Sequence, residues 1–504
     1  MSSVCLYFQV HQPVRLRRYT VFDIGQDHHY EDADMNCDIL LRVAQKCYLP
    51  MNDLLLQLIR RYKKKFKLSF SISGVCLDQF EQHTPETIDS FRALADTGCV
   101  EFLGETYGHS LAFLYSPEEF KTQVELHAQR IKELFGQSPK IFRNSELIYN
   151  NDLAHFIEDM GYMAILAEGA DHVLGWRSPN FAYLPASCDK MALLLKNYSL
   201  SDDIALRFSN AHWSEYPLTA QKYAKWIHHA VSASDVVGLF MNYETFGERH
   251  GESSGIFNFM RTLPEHLLAQ PGVKFATLSE IATQLTPVAM LDVPQFMSWA
   301  DAESDLTAWN GNDMQCDALE ALYRLESRVK ASTNKDLLPI WRRLQTSDHF
   351  YYMCTKWFSG DDAERYVNPY GNPYDAYINF MNVLGDFELT LEQSSFVSSG
   401  LSSLAIKDIA AKPQGGTEQK VTASSPAKKA GITQVKVEKK PAPVKAKTAK
   451  ISANKAQTRK KTGSQVSSAK NTPVEKDYAA TAATEKAKRT KKDSAGGIRA
   501  GRKK

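Results

Sequence analysis

From residue 1 to about 290 this chain alternates short apolar runs, each ending in polar residues, with longer amphipathic stretches. The runs are VCLYFQV (4–10), KLSFSIS (67–73), VEFLGE (100–105), KIFRNSE (140–146), MAILAE (163–168), VVGLFMN (236–242) and VKFATLSE (273–280). Between them lie MNDLLLQLIRRYKKK and EEFKTQVELHAQRIKELF, whose apolar residues recur at helical spacing. Such alternation predicts a parallel sheet, because parallel neighbours need a crossover long enough to hold a helix. Seven strands of this kind predict an α/β fold built on a closed (β/α) barrel, whose chemistry gathers at the C-terminal strand ends. Those ends carry His11, Glu105, His109, Glu146, Glu168, Asn242 and Glu244. A polar residue ends a strand whenever a loop follows, so each of them alone says little and the cluster says more.

The chain has 504 residues, 43% of them hydrophobic, enough for a large core and an accessory domain. Stretches such as DALEALYRLESRVKAS and YDAYINFMNVLGDFELTLEQ, within 310–395, have helical periodicity and little strand character. The expected division is a barrel over 1–290, a helical domain over 291–400 and a tail over 405–504. The small net charge of +2 conceals a separation. Residues 405–504 hold 26 Lys and Arg against 7 Asp and Glu, while residues 1–404 hold 34 against 51. The tail is rich in Lys, Ala, Thr, Ser and Pro and nearly lacks large apolar residues. It is expected to be disordered, since it cannot bury enough surface to offset its chain entropy. Its charge fits an anionic partner such as nucleic acid or an acidic surface, or simply a solvated segment. Tyr478 is its single aromatic residue, so base stacking is not supported.

No run is long and apolar enough for a membrane span, and MSSVCLYFQVHQP reads as a first strand rather than a signal peptide. The eight cysteines are scattered without a CxxC pair, as expected of reduced thiols in a cytoplasmic protein. No HExxH, zinc-type Cys–His spacing, GxGxxG or P-loop occurs, so no metal and no cofactor is expected.

Several segments resemble a known family. VHQPVR (10–15), GCVEFLGETYGHS (98–110), FRNSELIYNND (142–152) and LFMNYETFGE (239–248) are similar to the first four conserved regions of glycoside hydrolase family 57, and SWADAESDLTAWNGN (298–312) to the fifth. LGWRSPNFAY (174–183) and DHFYYMCTKWF (348–358) resemble stretches of its α-amylase-type members. The resemblance runs in order over roughly residues 1–390 and leaves the tail out. It implies a seven-stranded (β/α) barrel, a helical domain that helps close the active site, and activity on α-1,4-glucans or malto-oligosaccharides with retention at the anomeric carbon.

Retention uses two carboxyl groups, one a nucleophile and the other an acid/base. The resemblance places the nucleophile on Glu146. It places the acid/base, an aspartate in the family, on Asn242, and an amide cannot exchange a proton near neutral pH. General acid–base help is worth about 10²–10⁴-fold, so turnover is expected to be weak or lost unless Glu244, Glu248 or Asp301 takes over the proton. His11 and His109 are expected to bind sugar hydroxyls, Glu105 and Arg143 to orient or tune Glu146, and Trp176 and Trp299 to stack on sugar faces. Glu244 and Asp301 complete the expected substrate-binding set. Three readings stay open: an α-amylase or 4-α-glucanotransferase type of enzyme, a silenced α-glucan-binding or regulatory protein of the same fold, and a nucleic-acid-associated protein led by its tail.

Overall fold

Among the described residues ten strands form two sheets: β1 (Ser2–Val10), β2 (Leu68–Ile72), β3 (Val100–Phe102), β4 (Ile141–Phe142), β5 (Ala164–Glu168), β6 (Ala182–Pro185), β7 (Ala192–Lys196), β8 (Val236–Asn242), β9 (Val273–Phe275) and β10 (Met290–Leu291). The computed structural model describes residues 2–301, 303–356 and 368–410, with side chains as far as residue 394. The expected tail disorder concerns residues that lie, from 411 onward, outside the described ones.

β1 is buried almost throughout, as a strand covered on both faces must be. It pairs in parallel with β2 and with β8, and β2 pairs in parallel with β3. A second sheet runs β4–β5–β7 in parallel, then turns antiparallel to β6, which pairs with β10. The two sheets meet on both sides. A parallel bridge joins Gly104 to Phe142 beyond β3, with the Gly104 N–H donating to the Ile141 carbonyl at 2.9 Å. On the other side the Asn197 N–H donates to the Gly238 carbonyl at 2.8 Å, bringing β7 against β8. Both junctions are tight, and the one at Gly238, against backbone, needs glycine. A Cβ on Gly238 would stand 2.6 Å from the Leu195 carbonyl, and one on Gly104 would stand 2.5 Å from the Tyr162 hydroxyl. The result is an α/β domain of barrel-like form, with helices such as Leu49–Tyr62, Pro117–Phe135 and Ile256–Leu268 outside it.

The run at 273–280 departs from expectation. Only Val273–Phe275 is strand, and it pairs with Ser2–Val4 at the start of β1. Thr277 then caps the helix Leu278–Gln284, its hydroxyl accepting from the Glu280 N–H while the Glu280 side chain accepts from the Thr277 N–H. The place between β5 and β8 belongs instead to β7, the apolar run ALLLK, which sequence periodicity leaves indistinguishable from a buried helix. The runs at 100–105 and 140–146 also stop early, at Phe102 and Phe142.

Among the described residues from 307 to 410 the regular elements are helices: Thr307–Asn310, Asp313–Arg324, Glu326–Ala331, Leu337–Leu344, Ser347–Tyr351 and Pro373–Ala410. Buried Glu119, on the helix Pro117–Phe135, ties this region down by pairing with Arg342 at 2.7 Å and Lys330 at 3.2 Å. The Thr346 hydroxyl donates to the Gly108 carbonyl at 2.9 Å, which sets the next residues against the strand ends. Residues 1–414 form one compact unit. All eight cysteines are free. Among the described residues no helix is long and apolar enough to cross a membrane.

Candidate active site

β4 ends after two residues, and the chain turns through Ser145–Leu147 with Glu146 at φ 57° and ψ 23°. His109, seven residues past β3, has φ 51°. Left-handed backbone is costly for residues with a Cβ, and it persists where the surroundings over-determine it, typically at functional sites. Here the turns aim the two side chains at each other.

The Glu146 carboxylate accepts at both oxygens. The indole N–H of Trp299 donates to Oε2 at 2.8 Å. At Oε1, the Ser347 hydroxyl donates at 3.1 Å and His109 Nε2–H at 3.3 Å. The other ring nitrogen of His109 donates to Oε2 of Glu105 at 3.0 Å, and Glu105 is 0% exposed. An imidazole between two carboxylates keeps its proton. Burial works against the charged ring, yet the bonds to Glu105 and Glu146 lift His109 to about 9. Burial likewise pushes Glu146 up, but the His109 bond and charge, then Arg143, outweigh it and hold the carboxyl below its ordinary range. Arg143 is fully buried with its guanidinium carbon 5.0 Å from the Trp299 ring centre, and its Nη2 donates to Gln9 Oε1 at 2.5 Å. Its Nε and Nη1 have no hydrogen-bond partner among the described residues, so it acts on Glu146 by charge.

The His11 ring stacks on His109 with centres 4.0 Å apart. Burial and then the charge of His109 lower His11, so it is the neutral member of the pair. Its Nε2–H donates to Asp348 Oδ2 at 2.9 Å, and its Nδ1 accepts from the Ser73 hydroxyl at 2.7 Å. Burial opposes the Asp348 charge, but His11 and then His109 hold this carboxyl far below the ordinary range.

Asn242 closes β8 in an exposed position, in register with Gln9. Two residues on, half-buried Glu244 accepts from the Tyr48 hydroxyl at 2.5 Å. Asp301, at φ 46°, pairs with Lys356 at 3.1 Å, and Glu248 pairs with Arg42 at 2.9 Å. Trp176 is 91% exposed beside Arg177, on the turn after Asp171–Leu174. Trp299 is half-buried, with its N–H committed to Glu146.

Sequence reading did not single out Ser73, Lys196, Ser347 or Asp348 as site residues. Lys196 ends β7 and bonds Glu168 at 3.0 Å and Asp202 at 3.1 Å, with its ammonium 5.7 Å from the Trp299 ring centre. The strand-end signal that found the others would have found Lys196, had ALLLK been read as a strand. Asp348 opens the stretch DHFYYMCTKWF, but its partner His11 is 337 residues away in the chain.

The family model of glycosyl hydrolase family 57 matches residues 5–294. The chain is 40% identical over 402 residues to a Methanocaldococcus jannaschii protein named "Putative alpha-amylase", covering 77% of this chain and 84% of that one. Its fold is similar to that of a branching enzyme from Pyrococcus horikoshii, with TM-score 0.55 and 14% identity over 76% of this chain and 88% of that one. It is also similar to a branching enzyme from Thermococcus kodakaraensis, with TM-score 0.54 and 14% identity over 78% of this chain and 93% of that one. With more than half of its length matched by the family model, this chain belongs to glycosyl hydrolase family 57.

Proposed function

We propose that this protein acts on α-1,4-glucans or malto-oligosaccharides with retention, with Glu146 as the nucleophile. The observation that carries this reading is the setting of Glu146: a left-handed turn aims it, three donors hold both oxygens, and the imidazolium of His109 keeps it ionised. A carboxylate so held is ready to attack an anomeric carbon, and Trp299 and Ser347 orient it. Arg143 and Glu105 act behind it, Glu105 by keeping the proton on His109. The names of the relatives, an amylase and branching enzymes, support an α-glucan as substrate. Glu244 and Asn242 at the end of β8, with His11 and Asp301, supply polar groups for sugar hydroxyls. Trp176 offers an exposed aromatic face on the turn after Asp171–Leu174 for a further sugar.

In the same reading β1, β2, β3, β4, β5, β7 and β8 form a seven-stranded (β/α) barrel, joined through the Gly104 and Gly238 contacts. Residues 291–400 form a helical domain that closes the site through Ser347 and Asp348. The cytoplasm is the expected location, in keeping with eight free cysteines.

Covalent trapping tests the nucleophile. An activated 5-fluoro-α-glucosyl fluoride should label the peptide containing Glu146, read by mass spectrometry, and leave Glu146→Gln unlabelled. Labelling elsewhere, or none, would overturn the assignment. The exposed amide of Asn242 favours one rival reading, a glucan-binding protein without turnover. That reading predicts binding of maltoheptaose with no product at any enzyme concentration.

A further inference from the structure

We infer that Trp176 and Tyr198 form one aromatic platform that holds an α-glucan chain beyond the sugars bound at Glu146, so that the protein selects long glucans over short ones. The inference rests on the reading of the Glu146 site as an α-glucan site. Trp176 is 91% exposed and Tyr198 37%, although both stand on segments that are tightly held.

A lone exposed tryptophan on a loose loop needs no explanation. The turn that carries Trp176 is clamped on both sides. The short helix Asp171–Leu174 ends at Gly175, whose φ of 61° favours glycine. Past the tryptophan, the Ser178 carbonyl accepts from the hydroxyl of buried Tyr183 at 2.7 Å. Two buried amides then join the turn to the segment of Tyr198, with Asn197 Nδ2 donating to Asn180 Oδ1 at 2.9 Å. Asn197 also caps the helix Tyr198–Ala205. A second tie lies on the other side of the turn, where the Tyr198 hydroxyl donates to Asp171 Oδ2 at 2.8 Å. Each aromatic residue is thus fixed by the other's segment. Rings held in place but left in water offer flat area, and little ordering entropy is lost when a sugar settles on them.

The platform lies on the face of the nucleophile. Glu168 and Lys196 end β5 and β7 as partners in register, and their side chains are bonded at 3.0 Å. A Cβ on Gly169, the next residue, would run into the Lys196 carbonyl and stand 2.8 Å from Pro179, so the Trp176 turn packs directly on these strand ends. The Lys196 ammonium stands 5.7 Å from the Trp299 ring centre, and that indole donates to Glu146 at 2.8 Å. Tyr198 follows Lys196 by two residues, a reach of at most about 7 Å along the chain. The charges beside the rings are mixed: the Asp171 carboxylate bonds Tyr198, and the Arg177 guanidinium lies 5.7 Å from the Trp176 ring centre. An acceptor and a fork of donors with no net charge suit the hydroxyls of a neutral polymer rather than a polyanion.

The test is native electrophoresis through gels that hold amylopectin, with maltotriose as the short competitor. Gels without glucan report that the variants are folded. Wild type should be retarded by amylopectin, and Trp176→Ala and Tyr198→Ala should each weaken that binding about tenfold. Maltotriose binding should fall by less, and equal losses on the two ligands would overturn the inference. Wild type that labels at Glu146 but is not retarded, or is retarded no more than the variants, would leave the nucleophile standing and remove the platform. A wild-type dimer that Trp176→Ala converts to monomer on size exclusion would also remove it, since a second copy would then cover the ring. Retardation lost in both variants with no label at Glu146 would keep the platform and remove the nucleophile. Neither retardation nor label would remove both.

Discussion

The indole N–H of Trp299 donates to Oε2 of Glu146 at 2.8 Å, and the Trp299 backbone N–H donates to the Glu146 carbonyl at 3.2 Å. One residue from the loop after β10 therefore fixes both the carboxylate and the strained turn that carries it. Arg143 and Lys196 stand 5.0 and 5.7 Å from the centre of the same ring. Cations beside an aromatic ring are held by its electron-rich face, which locks the indole in place.

Trp299→Phe keeps the ring but removes the donor. A hydrogen bond to a charged group is worth about 1.5–3 kcal/mol, so kcat/KM on maltoheptaose should fall roughly ten- to a hundredfold. The Glu146 carboxylate loses a stabilising bond, so the acidic limb of the pH profile should move upward. Steady-state rates between pH 4 and 9 measure both, and an unmoved acidic limb would show that Trp299 does not tune Glu146.

Stability should fall as pH rises from about 6.5 to about 9. His109 is held at about 9 in the folded protein and returns to roughly 6.5 when unfolded. The folded state thus binds the extra proton in that window, and the stabilisation present below 6.5 is lost as the ring deprotonates near 9. Thermal unfolding across this range should show a falling midpoint in wild type and a flatter one in Glu105→Gln.

Lys196→Met should destabilise the fold by about 3–5 kcal/mol, because it strands Glu168 and Asp202 around an apolar side chain. Lys196 and Glu168 are 6% and 4% exposed, so water cannot compensate. Urea unfolding gives the number, and a loss under 1 kcal/mol would mean the carboxyls protonate at little cost.

Asn242→Asp should raise maltoheptaose turnover by about 10²–10⁴-fold, since it restores a carboxyl at the position of the acid/base. Product formation by the two proteins side by side measures it, and an unchanged rate would mean that position 242 is not the empty acid site.

Glu146, His109, Glu105 and His11 were legible because each closes a strand or stands within a motif that names it. The Trp299–Glu146 bond was not, since nothing in SWADAESD says which side of the indole meets a carboxylate. β7 escaped because a fully buried parallel strand has no period to read, and Lys196 escaped with it. The end of β9 was misread although its signal was present: Thr277 and Glu280 stand at capping-box spacing, which marks a helix start.

The sequence by itself determined the family, the alternation of strands and helices, and the amide at position 242. These are local facts, carried by residue type and spacing. The tertiary structure decided how each carboxyl is held. That depends on partners far apart in the chain, Tyr48 against Glu244 and His11 against Asp348. Charge and burial act through space, so two glutamates two or three residues from an apolar run look alike in sequence. In the fold Glu146 is held ionised and Glu244 is raised to about 7.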